Sequence, residues 1–216
     1  MSFSLNEIEA MVKRAARGAG LSWGLAEEAA KGTRWLSAFG YPGAEMLVKP
    51  LHLNDRVPSI DVSPVSLRAA VWHAPARRMS PLIAGAALSD CATRLLDRSA
   101  ITMEGVSFPL LAVPFMGGAA LRLGVPVAAE WMGVRMATDG SQLCVTGDTD
   151  ALSSATIEQM IFFAPAVMSQ HCTPVMRAQI SNTCWSALGA FAHRYFAPAT
   201  EESRKRGAGA GQGDND

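Results

Sequence analysis

The sequence predicts an α+β fold: two N-terminal helices, a central mostly antiparallel sheet, C-terminal helices and a Gly-Ala-rich tail. Three observations carry this. Apolar residues recur at helical spacing near both ends of the chain. Between Ile101 and Thr146 short apolar runs alternate with glycine punctuation. The elements come as helices, then strands, then helices, an order that fits segregated layers rather than a βαβ-wound sheet.

The first helix opens on Ser4-Leu5-Asn6-Glu7, a capping box in which the serine and the glutamate each satisfy a backbone N–H. Ile8, Met11, Val12 and Ala15 then fall on one face. Gly18-Ala19-Gly20 breaks that pattern, and Ser22 is placed to cap a second helix. Leu25, Ala29, Gly32 and Leu36 line its apolar face, with Glu27, Glu28, Lys31 and Arg34 opposite. Gly40 sits where a C-terminal glycine cap belongs, with Pro42 just after.

Residues 41–81 are rich in proline and turn residues. Met46-Leu47-Val48 and Ser66 to Trp72 read as strands or a helical turn, and Asp90 to Arg98 as a short helix or helix end. The sheet is expected from Ser107–Phe115, Ala119–Leu123, Val125–Trp131, Val134–Thr138 and Leu143–Thr146, with Asp139-Gly140 as a hairpin turn. Ser153 or Ser154 then caps a helix through Ile157, Met160, Ile161 and Phe163. Thr173-Pro174 reads as an N-cap followed by proline at the first helical position. The helix it starts runs from about Val175 to Tyr195, with Val175, Ile180, Cys184, Leu188, Phe191 and Tyr195 as its stripe. The expected organisation is one α+β domain over 1–196 and a Gly/Ala-rich segment over 197–216 that can fold back on it.

Composition narrows the function. The 216 residues are 49% hydrophobic and only 18% charged, which excludes a disordered, solvating chain. Nineteen Lys+Arg balance nineteen Asp+Glu, so no nucleic-acid partner is expected, because such a partner needs many phosphates neutralised. No basic segment followed by an apolar run opens the chain. No stretch reaches the roughly 18 apolar residues of a membrane helix. Val106–Leu123 comes nearest, but its prolines, paired glycines and Arg122 read as buried strands. Cys91, Cys144, Cys172 and Cys184 form no CxxC pair and read as reduced thiols of a cytoplasmic protein. The alanine-rich, arginine-over-lysine usage points to a bacterial source.

The tail combines a basic cluster, Arg204-Lys205-Arg206, with alternating glycine and alanine to Gly211 and an acidic end, Asp214-Asn215-Asp216. It reads either as a solvated tail or as a segment whose backbone N–H groups and Arg204 hold an anion. It is neither GxGxxG nor a P-loop.

The stretch Ala15-Ala16-Arg17-Gly18-Ala19-Gly20-Leu21-Ser22-Trp23-Gly24-Leu25-Ala26-Glu27-Glu28-Ala29 resembles the opening of an uncharacterised bacterial protein family of this length. The ending, Thr200-Glu201-Glu202-Ser203-Arg204, Gly207 to Gly211 and Asp214 to Asp216, is similar to that family's ending. The resemblance implies no activity. It does imply that both termini belong to one site or interface, with Arg17, Trp23, Ser203, Arg204, Gly207, Gly209 and Gly211 as its ligand-binding candidates. A fainter likeness is to the non-Rossmann malate/lactate dehydrogenase family. The His-Gly expected after its second helix is Tyr41-Pro42-Gly43 here, and no residue is carried across.

His52, His73, His171 and His193 are far apart and no HExxH occurs, so no metal is expected. Cys172, beside His171 at the proposed helix start, is the thiol best placed to be a nucleophile. Cys184 belongs to the core stripe. Glu27 and Glu28 are carboxylate candidates, but consecutive helical residues point about 100° apart. Glu27 and Lys31 are spaced for a surface pair. Arg77-Arg78 after Trp72-His73 can line a carboxylate pocket, and Arg56, Arg68, Arg94 and Arg122 are equally eligible. No motif names a reaction or a cofactor. The expectation is an enzyme or enzyme subunit acting on a small anionic metabolite, as a homo-oligomer or within a complex. The alternative is a non-catalytic interaction or assembly subunit using both termini.

Overall fold

The computed structural model describes residues 1–98, 100–169, 172 and 174–195. Within them the chain has the expected α+β architecture. Strand β1 (Ser2–Ser4) runs directly into α1 (Leu5–Gly18). The capping box forms as predicted. Ser4 Oγ accepts from the Glu7 N–H at 3.3 Å, and the Glu7 carboxylate accepts from the Ser4 N–H at 2.7 Å. Such caps contribute about 1 kcal/mol. Ile8, Val12 and Ala15 are buried and Met11 packs against them. Helix α2 (Trp23–Ala38) starts at Ser22, whose Oγ accepts from the Leu25 N–H at 3.4 Å. It ends before Gly40, which takes the left-handed conformation expected of it (φ +80°).

Helix α3 (Gly43–Leu53) occupies the region read as a short strand or turn around Met46. Its buried residues Gly43, Met46, Leu47, Pro50 and Leu51 do follow a helical period, but only over a window wider than three residues. An irregular stretch follows, with a 3-10 turn at Ser59–Val62 and a two-residue strand β2 (Val71–Trp72). Helix α4 (Pro81–Asp90) is capped by Ser80 and followed by α5 (Arg94–Arg98).

The remaining elements are β3 (Ile101–Ser107), α6 (Val113–Leu123), β4 (Val127–Trp131), β5 (Val134–Thr138), β6 (Leu143–Gly147), β7 (Thr156–Phe163), β8 (Arg177–Gln179) and α7 (Asn182–Tyr195). One sheet has the order β2-β3-β7-β4-β5-β6, antiparallel throughout except at β2–β3. A separate ribbon pairs β1 with β8. The hairpin at Asp139-Gly140 forms as expected. Gly140 has φ +99°, and the Asp139 carboxylate accepts from the Ser141 and Gln142 N–H groups at 2.8 and 2.7 Å. The Gln142 N–H holds that carboxyl below its ordinary range, helped by Ser141. No helix among the described residues is long and apolar enough to cross a membrane.

Three expectations are corrected. The apolar run 107–123 is not two strands but a 3-10 turn at Pro109–Ala112 followed by α6. This helix is buried over most of its circumference, so it shows no polar face to betray its period. A small residue on the neighbouring helix lets it pack closely: a Cβ on Gly85 of α4 would stand 2.3 Å from the Phe115 ring.

The second correction concerns 156–163, which is strand β7 and not a helix. Ile157, Met160 and Phe162 are buried, and the step of three between the first two imitates a helical spacing. The cause lies on the paired strand. Gly105 of β3 has φ +64°, and the left-handed residue interrupts the alternation of faces, so Val106 and its partner Ile157 turn inward. Met103 and its partner Met160 are buried on the other side of that break.

Third, the last helix starts at Asn182, not near Val175. Ser181 caps it, its Oγ accepting from the Cys184 N–H at 3.2 Å. Residues 177–179 are drawn into the ribbon instead: Arg177 donates to Ser2 Oγ at 3.1 Å and to the Ser2 carbonyl at 2.9 Å. Val175 and Ile180 therefore lie outside the helix, and Pro174 is an exposed non-helical residue. The expected cap Thr173 lies outside the described residues. Cys184, Leu188 and Phe191 remain the buried stripe.

Helices α1, α2 and α7 pack together, and α7 approaches α1 so closely that a Cβ on Gly18 would stand 1.8 Å from the Phe191 carbonyl oxygen. Gly18→Ala is expected to destabilise the protein by about 1–3 kcal/mol through overpacking against backbone. Gly189→Ala, on α7 with nothing within 4 Å of the added carbon, is expected to stabilise it by about 0.5–1 kcal/mol. Urea unfolding of the two variants measures both signs.

Candidate functional site

The α1–α2 packing brings together the candidates from the opening motif. The Arg17 guanidinium, in the last turn of α1, lies 4.6 Å from the Trp23 ring centroid. Its Nη1 donates to the Leu21 carbonyl and so holds the turn between the helices. Arg17 Nε is buried with no hydrogen-bond partner among the described residues. Tyr195, at the end of α7, meets Trp23 edge-on at 5.7 Å. Trp23 itself is 53% exposed.

The two glutamates part company. Glu27 accepts from Lys13 Nζ at 2.5 Å, and that hydrogen bond, with the lysine's charge, holds its carboxyl below the ordinary range. Glu28 pairs with Lys31 at 2.9 Å instead, replacing the expected Glu27–Lys31 pair. That contact raises the Lys31 ammonium above its usual range. Each carboxylate is thus committed to its own lysine, and the two form no acid/base couple.

Cys91, Cys144, Cys172 and Cys184 form no disulfide among the described residues. Among the described residues no helix starts beside Cys172; the last helix begins at Asn182. The Cys172 N–H donates to the Leu143 carbonyl at 2.9 Å, tying this segment to the edge strand β6. His171 lies outside the described residues. Cys184 is buried, and desolvation, with the Glu45 charge adding to it, pushes its thiol up to about 12. Among the described residues no group of three His, Cys, Asp or Glu is placed to hold a metal ion. The tail candidates Ser203, Arg204, Gly207, Gly209 and Gly211 lie outside the described residues.

One cleft was not anticipated. It has a volume of about 600 Å³, within the range of about 300–1,000 Å³ usual for small-molecule sites. One wall is the α1–α2 turn and the start of α2, from Ala19 to Ser22 with Leu25. A second is the end of α3 and the loop after it, from Pro50 to Ser63. The third is the start of α4: Ser80, Leu82 and Ile83. The first turns of two helices therefore border one cleft, and Ser22 and Ser80 cap them. Helix N-termini carry about half a positive charge.

Arg56 is the one charged side chain among the described lining residues. It takes φ +61°, a conformation rare for a residue with a side chain. The two residues before it are pinned. Asn54 Oδ1 accepts from Arg78 Nη2 at 3.2 Å, and Arg194 of α7 donates to both Asp55 oxygens at 2.9 Å. In the sequence Arg56 is one of several eligible arginines, with nothing local to single it out. The Ser80-Pro81 cap was the available cue to the third wall.

Residues 3–80 match the model of a family described as a protein of unknown function (DUF3726). The matched region runs from β1 to the cap of α4, so it holds Arg17, Trp23 and Arg56 and two walls of the cleft. This agrees with the resemblance of the opening to an uncharacterised family, while the ending lies beyond the match. No curated protein matches the chain.

The buried Cys184 thiol sets an alkaline limit on stability. The unfolded thiol ionises near its ordinary value of 9.0, whereas the folded one stays protonated to about 12. The unfolded state therefore binds fewer protons in that interval, and stability falls as pH rises from about 9 towards 12. Cys184→Ala is expected to flatten this part of the pH–stability profile, measured by urea unfolding at successive pH values.

Proposed function

We propose that the protein binds a small anionic metabolite in the cleft between the α1–α2 turn, the loop after α3 and the start of α4, as an enzyme or enzyme subunit. The charge of the cleft carries the reading. Arg56 and two helix first turns border it, and its described lining has no carboxylate. Guanidinium groups read carboxylates through paired hydrogen bonds. The same lining has no imidazole or thiol, so its own groups support binding and orientation more directly than proton transfer.

Arg17 and Trp23 enter as supports of the first wall: Arg17 holds the Leu21 carbonyl, and Trp23 adjoins Ser22. The tail candidates Ser203 to Gly211 enter because Tyr195, the last described residue, packs on Trp23 beside this wall.

Differential scanning fluorimetry with malonate, pyruvate, succinate, hexanoate and inorganic phosphate tests the proposal. A ligand that binds the native state raises Tm. At least one of these anions is expected to raise it, and Arg56→Asn, which suits a left-handed position, to abolish the rise. If no anion shifts the wild type, or the variant responds equally, the cleft is not the site. Removal of residues 200–216 is expected to weaken the response if the tail contributes.

A second reading has its own observation. Trp23 is exposed and carries Arg17 on its face, a pairing of residue types enriched at interface hot spots. Sedimentation velocity of Trp23→Ala decides it: conversion of a defined oligomer to monomer, with anion binding retained, favours an assembly role.

A further inference from the structure

We propose that the cleft selects an amphiphilic monocarboxylate, an acyl chain bearing one carboxylate, over compact polyanions. The inference rests on the cleft being the ligand site and adds what kind of anion it takes. Two features of the walls decide the matter.

The first is the balance of charge. Arg56 is the sole cation in the described lining, and the first turns of α2 and α4 add partial charges only. One guanidinium satisfies one carboxylate bidentately. A dicarboxylate, a phosphate ester or a nucleotide brings charge that these groups do not match. Unmatched charge moved out of water is costly.

The second is the character of the walls. Leu25 from α2, Leu51 from α3, Val57 and Val62 from the loop, and Leu82 and Ile83 from α4 face the cleft from all three sides. The hydroxyls of Ser22 and Ser80 already accept from the Leu25 and Ile83 N–H groups of their own helices. A ligand that displaces water from these walls must itself be largely apolar. The cleft has room for a body of many carbon atoms beside its head group. Arg56 is exposed, so the carboxylate sits at the mouth and the chain runs inward along the leucines.

The test is a calorimetric titration of the full chain with butyrate, hexanoate and octanoate, with octanol, malonate and inorganic phosphate as comparisons. Affinity is expected to rise about fourfold per added methylene, the equivalent of burying about 0.8 kcal/mol of apolar surface. Octanoate binding is expected to show a negative heat-capacity change. Octanol is expected to bind at least about tenfold more weakly than octanoate, since it lacks the charged head group. Arg56→Asn is expected to reduce octanoate to the octanol level while leaving octanol unchanged. Val57→Asp, which places a carboxylate in the half-buried loop wall, is expected to weaken octanoate with circular dichroism unaltered.

Malonate or phosphate binding that depends on Arg56, with no gain along the acid series, overturns the selectivity and leaves the cleft as an anion site. A gain with chain length that ignores Arg56, or equal binding of octanol, overturns the monocarboxylate head. If none of the acids, malonate or phosphate binds, both the selectivity and the anion-site reading fall.

Discussion

Helix α7 rests on α1 at a distance that only glycine permits, and much of the functional architecture follows from that contact. With Gly18 against the Phe191 carbonyl, the end of α7 comes level with the α1–α2 turn. Tyr195 then reaches Trp23, and Arg17 is held between the turn and the aromatic rings. One residue earlier, Arg194 reaches Asp55 in the loop after α3. The His52 ring lies 4.7 Å from Phe191, which fixes α3 to the same helix. Two of the three cleft walls are thus attached to one helix that lines neither.

Electrostatics plays a local part in this protein. The ion pairs Lys13–Glu27, Lys31–Glu28 and Arg34–Glu9 lie on solvent-facing helix surfaces, where such pairs contribute about 0–1 kcal/mol each. Stability comes instead from an apolar interior that includes Trp72, Phe162 and Phe191 with essentially no exposure. The zero net charge of the chain conceals an uneven distribution. The cleft is bordered by positive groups, while Asp55 and Glu27, two of the carboxylates near it in sequence, are held by Arg194 and Lys13.

What was legible in the sequence was local. The Ser4–Glu7 box, the Ser22 cap and Gly40 each state their structure through neighbouring residues, and all three are realised. The errors arose where a distant partner overrode a local pattern. The residues before Ser181 became a strand because residues 2–4 supplied an edge. Strand β7 acquired a helix-like spacing from Gly105, some fifty positions upstream. Helix α6 hid its period because it is enclosed. The site divided the same way. Arg17 and Trp23 are close in sequence and share one motif, whereas the cleft draws on three separate segments and no motif spans them.

The kink at Gly105 reaches further than the strand it bends. The Gly105 carbonyl accepts from the Met79 N–H at 2.8 Å, and the Ser107 N–H donates to the Met79 carbonyl at 3.1 Å. Residue 80, the next along, caps α4 and begins a wall of the cleft. A side chain at 105 would press on the Arg77 carbonyl, only 2.5 Å from where its Cβ would stand. The cleft therefore spans a seam. One wall hangs from the sheet at Gly105, and the other two are moored to the helical layer through α7. Its width is a measure of how those two layers are set against each other, and that setting is recorded at a glycine that never touches the ligand space.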